Sequence, residues 1–366
     1  METPVQCINT LYEWLSANVA DRIGEYYQKI YDASTIPTVK PTVIGGEVGN
    51  AFKASLSSPA AFVGVLPNGR VWGPYAAILT PDNLVVAEFS HDPHHYLDIK
   101  SHPIFKEPAL SEPIYYDETI AVIASVFNGN YYHWFFDVLA RIHLIERSRI
   151  PIDRYLILDQ SHAFQKATLS MMGIPNEKIM TTAPNFHIQA KRLILPSYDQ
   201  PVGHTSPWAC RFFRHTFKTY VGRSRQSFRG YQRIYISRSG AAYRRVTNER
   251  LLLPLLQRAG FKIVRPETYT LQDQISLFSQ ADAIIGSTGA ALTNLVFCRP
   301  GTKVAIFQPA GLNDISYWAI CNMLQLRCYL LLGRTTPLSE VEAVMNLASF
   351  EIQPPHLQQL LNIIST

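Results

Sequence analysis

Short apolar runs alternate with amphipathic stretches through the second half of the chain. Ile234–Ile236 and Ala283–Ile285 are rich in β-branched residues and bounded by polar residues or glycine, which predicts buried parallel strands. The alternation reads strand 234–236, helix 248–259, strand 262–264, helix 271–280, strand 283–285, helix 290–297, strand 303–307, helix 314–324 and strand 328–331. Strands separated by helices of ~10 residues predict a doubly wound parallel sheet. Pro254 is expected to kink or shorten its helix.

The first half has a different texture. Leu11, Trp14, Leu15, Val19, Ile23 and Tyr26 keep helical spacing, so a helix is expected over 10–32. From Pro37 to about Asp117, runs such as 61–65 and 84–89 are separated by the turn signals Pro67-Asn68-Gly69 and Thr80-Pro81-Asp82-Asn83. That predicts an antiparallel β segment. Ile120–Val126, the loop Asn128-Gly129-Asn130 and a helix from Tyr131 to about Arg147 follow. Tyr155–Leu158, a helix near Ala163–Met172, and Arg192–Leu195 complete a first α/β unit.

The Pro- and Gly-bearing stretch from Tyr198 to Pro207 reads as a domain boundary. The expected division is an acceptor-side domain over 1–205 and a nucleotide-binding Rossmann-like domain over 206–340. A tail over 341–366 ends in an amphipathic helix, Leu357–Ile364, expected to pack back on the first half. Two such α/β halves would face a cleft at their strand carboxyl ends.

Composition narrows the function. A chain of 366 residues, 47 % hydrophobic and 17 % charged, is a globular protein with a large core. The net charge of +5 suits an anionic small molecule and gives nucleic acid little support. No apolar run reaches the roughly 20 residues of a membrane span, and the start METPVQCINTLYEWL lacks the features of a signal peptide. Five scattered cysteines without a C-x-x-C pair point to reduced thiols in a cytoplasmic protein. The crowded loop His91-Asp92-Pro93-His94-His95 has no regular metal-ligand spacing and reads as a plain loop.

Two constellations carry chemistry. Arg238 follows the strand at 234–236, where open α/β sheets bind ligands, and its fork suits phosphate oxygens. Gly286-Ser287-Thr288-Gly289-Ala290-Ala291 then opens the helix carrying Thr293 and Asn294, so backbone N–H groups point at an anion, most simply a nucleotide diphosphate. No P-loop lysine and no G-x-G-x-x-G follow a strand, which disfavours nicotinamide and flavin cofactors. Arg244 and Arg245 lie just downstream, within a basic run whose members at 223, 225 and 229 read as a solvated face.

In the first half, His133, Asp137 and Arg141 are spaced four apart and form one polar stripe among aromatic residues. Two readings stand side by side. One is an Asp137–Arg141 ion pair with His133 beside it. The other is a carboxylate or imidazole that takes a proton from a hydroxyl nucleophile.

Together these residues resemble glycosyltransferase family 61. The stretches that carry the likeness are Gly129–Asp137 (G-N-x-x-H-x-x-x-D), Tyr235–Glu249 (Y-I-S-R … R-R-V-x-N-E) and Ala281–Phe297 (A-D-x-I-I-G … G-A-A-L-T-N-x-x-F). The resemblance implies a GT-B fold and inverting transfer from a nucleotide sugar, a UDP-linked one leading, with no obligatory metal and no other cofactor. It makes Arg238, Arg245, Thr288, Gly289, Ala290, Ala291 and Asn294 donor-binding. It places Asn130, Tyr132 and Arg141 on the acceptor side, with Asp137 the first choice of base and His133 the second.

The acceptor would be a glycan or lipid-linked glycan in polysaccharide biosynthesis, with contact to the inner face of a membrane left open. Two departures keep a non-catalytic nucleotide- or glycan-binding member in play. Thr288 stands where the family usually has His, and the strand after Gly301 lacks the usual Glu.

Overall fold

The computed structural model describes residues 1–92, 98–198, 205–224, 228–335 and 347–365. Residues 199–203 of the expected boundary, 93–95 of the histidine loop, and Arg225 lie outside them. The chain forms two compact units, one of Met1–Ser34 with Ser58–His204, the other of Thr35–Ser57 with Thr205–Thr366.

The first unit is built on a mixed sheet. Ile114–Val122 pairs in parallel with Arg154–Ile157 and with His187–Pro196. His187–Pro196 also takes Ala61–Pro67 and Arg70–Trp72 in antiparallel register on its other edge. The antiparallel segment and the first α/β unit are therefore one sheet, joined through a single strand. Ile120, Leu156, Leu193 and Leu195 form its core with Leu11, Trp14 and Leu15.

The first helix is shorter than its spacing predicts. It spans Leu11–Asn18, opened by a capping box in which Thr10 and Glu13 exchange hydrogen bonds. After a short turn and Ile23–Tyr26, the chain extends into a strand, Tyr27–Tyr31, antiparallel to Ala61–Pro67. Tyr27 stacks on Phe62 at 4.6 Å, so edge pairing overrides a helical pattern that continued only through Tyr26.

The second unit holds a parallel sheet in the order Lys262–Val264, Arg233–Ile236, Ala283–Ser287, Lys303–Pro309, Arg327–Thr335. Numbered along the chain this is 2-1-3-4-5, a doubly wound order whose switch point lies between Arg233–Ile236 and Ala283–Ser287. The helix Glu249–Arg258 runs through Pro254 without shortening.

Two findings differ from the expected domain contents. Thr42–Ile44 extends this sheet as a sixth parallel strand beside Arg327–Thr335, so 35–57 belongs to the second unit. The last helix, Pro354–Ser365, buries Leu357, Leu360, Leu361 and Ile364 among Leu252, Leu256, Phe261 and Phe350. Its apolar stripe thus completes the core of the second unit rather than covering the first half. Among the described residues no helix is long and apolar enough to cross a membrane.

Candidate active-site residues

In the first unit the strand Ile114–Val122 ends in a loop that leads to a helix running from Tyr131 to Ser148. Asn130 caps it: its Oδ1 accepts from Tyr132 N at 2.9 Å. The middle turn, Trp134–Leu139, is wound as a π-helix. Such wide turns are rare and cluster at functional sites. Within this stretch the His133 Nδ1 and Asp137 Oδ2 atoms lie 2.7 Å apart. The Asp137 side chain is only 4 % exposed and that of His133 22 %. The imidazole packs against Phe127 at 4.9 Å between ring centres.

A buried carboxylate held to Nδ1 fixes the ring and its tautomer, because an ionised carboxylate can only accept. The Nδ1–H then donates to Asp137, and Nε2 is left as the proton acceptor. An imidazole oriented in this way, with a carboxylate behind it, is able to exchange a proton at Nε2.

Arg141 is held by backbone carbonyls rather than by Asp137. It is buried and donates from Nε to Pro196 O (3.0 Å), from Nη1 to Ala124 O (3.0 Å) and from Nη2 to Val122 O (2.8 Å). Its guanidinium lies 4.3 Å from the Tyr198 ring centre. Burial lowers its pKa, opposed by Tyr198 and by the charge of Asp137. The side chain clamps the carboxyl ends of two strands, and no Asp137–Arg141 ion pair forms. Asn130 and Tyr132 are also turned to local structure: the first caps, and the second is buried with its ring tilted 4.8 Å from Phe136. Nearby, burial and then Arg141 push His91 down to about 4, so it stays neutral against Tyr198.

In the second unit, Arg238 and the Thr288-Gly289 loop sit at the carboxyl ends of the two strands flanking the switch point. A Cβ on Gly289 would lie 2.1 Å from Arg238 Nη1 and 2.6 Å from its Cζ. Only glycine lets the guanidinium rest on the loop. Arg238 Nη2 donates to Tyr243 O at 3.1 Å, and the cation lies 5.7 Å from the Tyr243 ring centre. Its Nε is buried with no hydrogen-bond partner among the described residues, a costly state that a small rotation onto an oxyanion would relieve. Burial lowers the Arg238 pKa, while Tyr317 and Tyr243 raise it.

Beyond Gly289 the chain forms a 3-10 helix, Ala290–Phe297, with no side-chain cap. Thr288 does not cap it; its hydroxyl donates to Asp314 Oδ2 at 2.7 Å. The same oxygen lies 3.8 Å from Arg244 Nη1. Arg244 adopts a left-handed backbone, φ 54°, and its carbonyl accepts from Ser287 Oγ. It is therefore Arg244 that turns toward Thr288. Arg245 is exposed, and its backbone is tied to Ser349 and Phe350. Asn294 is buried and donates to Gln274 Oε1 (2.8 Å) and Ala291 O (3.2 Å), which fastens this helix to Leu271–Gln280.

Asp314 was missed by sequence reasoning, since a lone aspartate after a Gly-Leu-Asn turn carries no signal until the fold brings it to Thr288. The remaining motif residues are supports. Glu249 accepts from Tyr235 OH (2.9 Å) and Ser237 Oγ (3.1 Å), binding the strand bearing Arg238 to the next helix. Where the strand lacks a Glu, buried Gln308 stands at its end and donates to Leu312 O at 3.1 Å.

Residues 131–305 match the family model described as Glycosyltransferase 61. Residues 131–305 are a glycosyltransferase family 61 region. The matched stretch contains His133, Asp137, Arg238, Thr288 and Gly289, so the family match and the two clusters rest on the same residues. A family 61 chain is a glycosyltransferase, which uses a sugar donor and a glycan acceptor. No curated protein matches this one.

Proposed function

We propose that the chain transfers a sugar, with inversion, from a nucleoside-diphosphate donor to a hydroxyl of a glycan or lipid-linked glycan. In this reading it has a GT-B arrangement and serves polysaccharide biosynthesis on the cytoplasmic side. The observation that carries the proposal is Arg238 resting on Gly289 at the switch point of a 2-1-3-4-5 sheet. That is where doubly wound sheets hold nucleotides, and cationic groups there would stabilise the charge of a departing diphosphate. A UDP-linked sugar is the leading donor. Arg238 and Arg244, not a metal ion, are assigned that charge.

Inversion in one displacement needs a base on the acceptor hydroxyl. His133 Nε2 takes this role, and Asp137 orients the ring and stabilises the imidazolium that forms. The order of the two candidates is thus reversed from the sequence reading, because the carboxylate lies behind the imidazole.

Thr288 in its bond to Asp314, and Gln308 in place of an acid, favour a second reading, in which the fold binds nucleotide without turnover. Donor hydrolysis or transfer, with UDP affinity measured by calorimetry, separates the two. Turnover lost in His133→Ala while UDP still binds supports transfer. UDP binding with no turnover in the wild type leaves the binding reading.

A further inference from the structure

The second unit carries a basic groove at the edge opposite Arg238. It has a volume of about 600 Å³ and is walled by Arg211, Arg214, His215 and Lys218 on one side and Arg299 on the other. Its floor is Phe297, Met323 and Leu324. The helix Pro207–Thr216 explains one wall: Trp208, Ala209, Cys210, Phe212 and Phe213 are buried, which leaves Arg211 and His215 outward. Arg299 is held by Asp282 at 2.7 Å and by Gln280 O at 3.0 Å. Among the described residues Arg211, Arg214 and Lys218 have no ion pair, and no carboxylate lines the groove. Val221, at its rim, is 47 % exposed.

Position argues against a role in donor binding. Ser279 precedes the strand Ala283–Ser287, and Phe297 and Arg299 precede the strand Lys303–Pro309, all at amino ends, whereas Arg238 and Gly289 lie at the carboxyl ends. The strand Ala283–Ser287 alone separates the two edges by ~16 Å. The groove therefore needs its own anionic occupant.

We propose that this groove docks the chain on a bilayer by binding anionic phospholipid headgroups. The cations meet the phosphates, and the apolar floor and Val221 meet the glycerol and upper acyl region. A free phosphate would leave that floor uncovered. A nucleic acid would need cations along a longer track. A short patch that joins clustered Lys and Arg with apolar surface is the pattern of peripheral membrane binding. The inference is independent of sugar transfer.

The test is co-sedimentation of the full chain with phosphatidylcholine vesicles, with and without phosphatidylglycerol, at low and raised salt. Binding is expected only with phosphatidylglycerol, weakened by salt. The double variant Arg211→Gln/Lys218→Gln should bind roughly tenfold or more weakly. The control Arg250→Gln/Arg258→Gln, exposed cations elsewhere in the same unit, should bind like the wild type. Equal binding to neutral vesicles, no binding, or equal losses in both variants would overturn the proposal. So would a single-stranded oligonucleotide that competes the protein off the vesicles, or inorganic phosphate that does so at equal ionic strength.

Discussion

His133 and Asp137 share a hydrogen bond of 2.7 Å across the start of a π-helical turn, with the carboxylate buried behind the ring. The geometry makes the two residues unequal. In the proposed mechanism His133→Ala removes the base, whereas Asp137→Asn keeps the volume but no longer enforces the tautomer. We expect His133→Ala to lower kcat by ~10²–10⁴, the scale of general-base catalysis. Asp137→Asn should fall in the same range, with UDP affinity changed little in either. Wild-type turnover in His133→Ala would remove the imidazole from the reaction.

Arg238 and Gly289 form the second pair whose closeness can be tested. Arg238→Ala should weaken UDP binding by roughly 1.5–3 kcal/mol, the value of a charged hydrogen bond. Gly289→Ala should mimic it, because the added methyl would stand 2.1 Å from Arg238 Nη1 and displace the guanidinium. Calorimetry on both variants decides the matter: a tight UDP site in Gly289→Ala would separate the loop from nucleotide binding.

Much of the second unit was legible because its strands and helices carry local periodicity, and Arg238 could be placed from strand order alone. What was not legible depends on contacts distant in sequence. Residues 35–57 look like part of the first half, but Thr42–Ile44 finds its parallel partner at Tyr329–Leu331. The tail helix has an apolar stripe that fits any core, and its choice of Leu252 and Leu256 is a tertiary matter. Spacing placed His133, Asp137 and Arg141 on one stripe; it could not show that three backbone carbonyls capture Arg141. Between adjacent arginines, spacing could not show that Arg244, with its left-handed backbone, is the one whose guanidinium lies 3.8 Å from the Asp314 oxygen bonded by Thr288.

Glu88 gives the first unit a pH dependence. Its Oε1 accepts from Leu11 N at 2.6 Å, and burial raises its pKa from 4.5 to about 7 despite that bond. A carboxyl raised in the folded state binds more protons folded than unfolded, so stability falls with rising pH between those two values. The contribution is fully present below about 4.5 and is lost as pH rises through about 7. Chemical denaturation of Glu88→Gln across this window should show a flatter profile than the wild type. An unchanged slope would mean that Glu88 is charged in the folded protein.

Arg141 separates a structural from an acceptor-side role most cleanly. Replacing it with Met takes the Arg141 donors from the carbonyls of Val122, Ala124 and Pro196 in a buried site, leaving Ala124 O only the Tyr198 hydroxyl, and removes the cation from the Tyr198 face. A buried carbonyl that loses its donor costs ~1–3 kcal/mol. Urea unfolding of Arg141→Met should therefore move to a clearly lower midpoint, with Arg141→Lys recovering only part, since an ammonium cannot span three acceptors from one planar fork. An acceptor-side arginine would behave in the opposite way: the midpoint would hold, and KM for the acceptor would rise. If stability is unchanged in Arg141→Met, the clamp between the strand ends at Val122 and Pro196 is not what fixes the loop leading to His133.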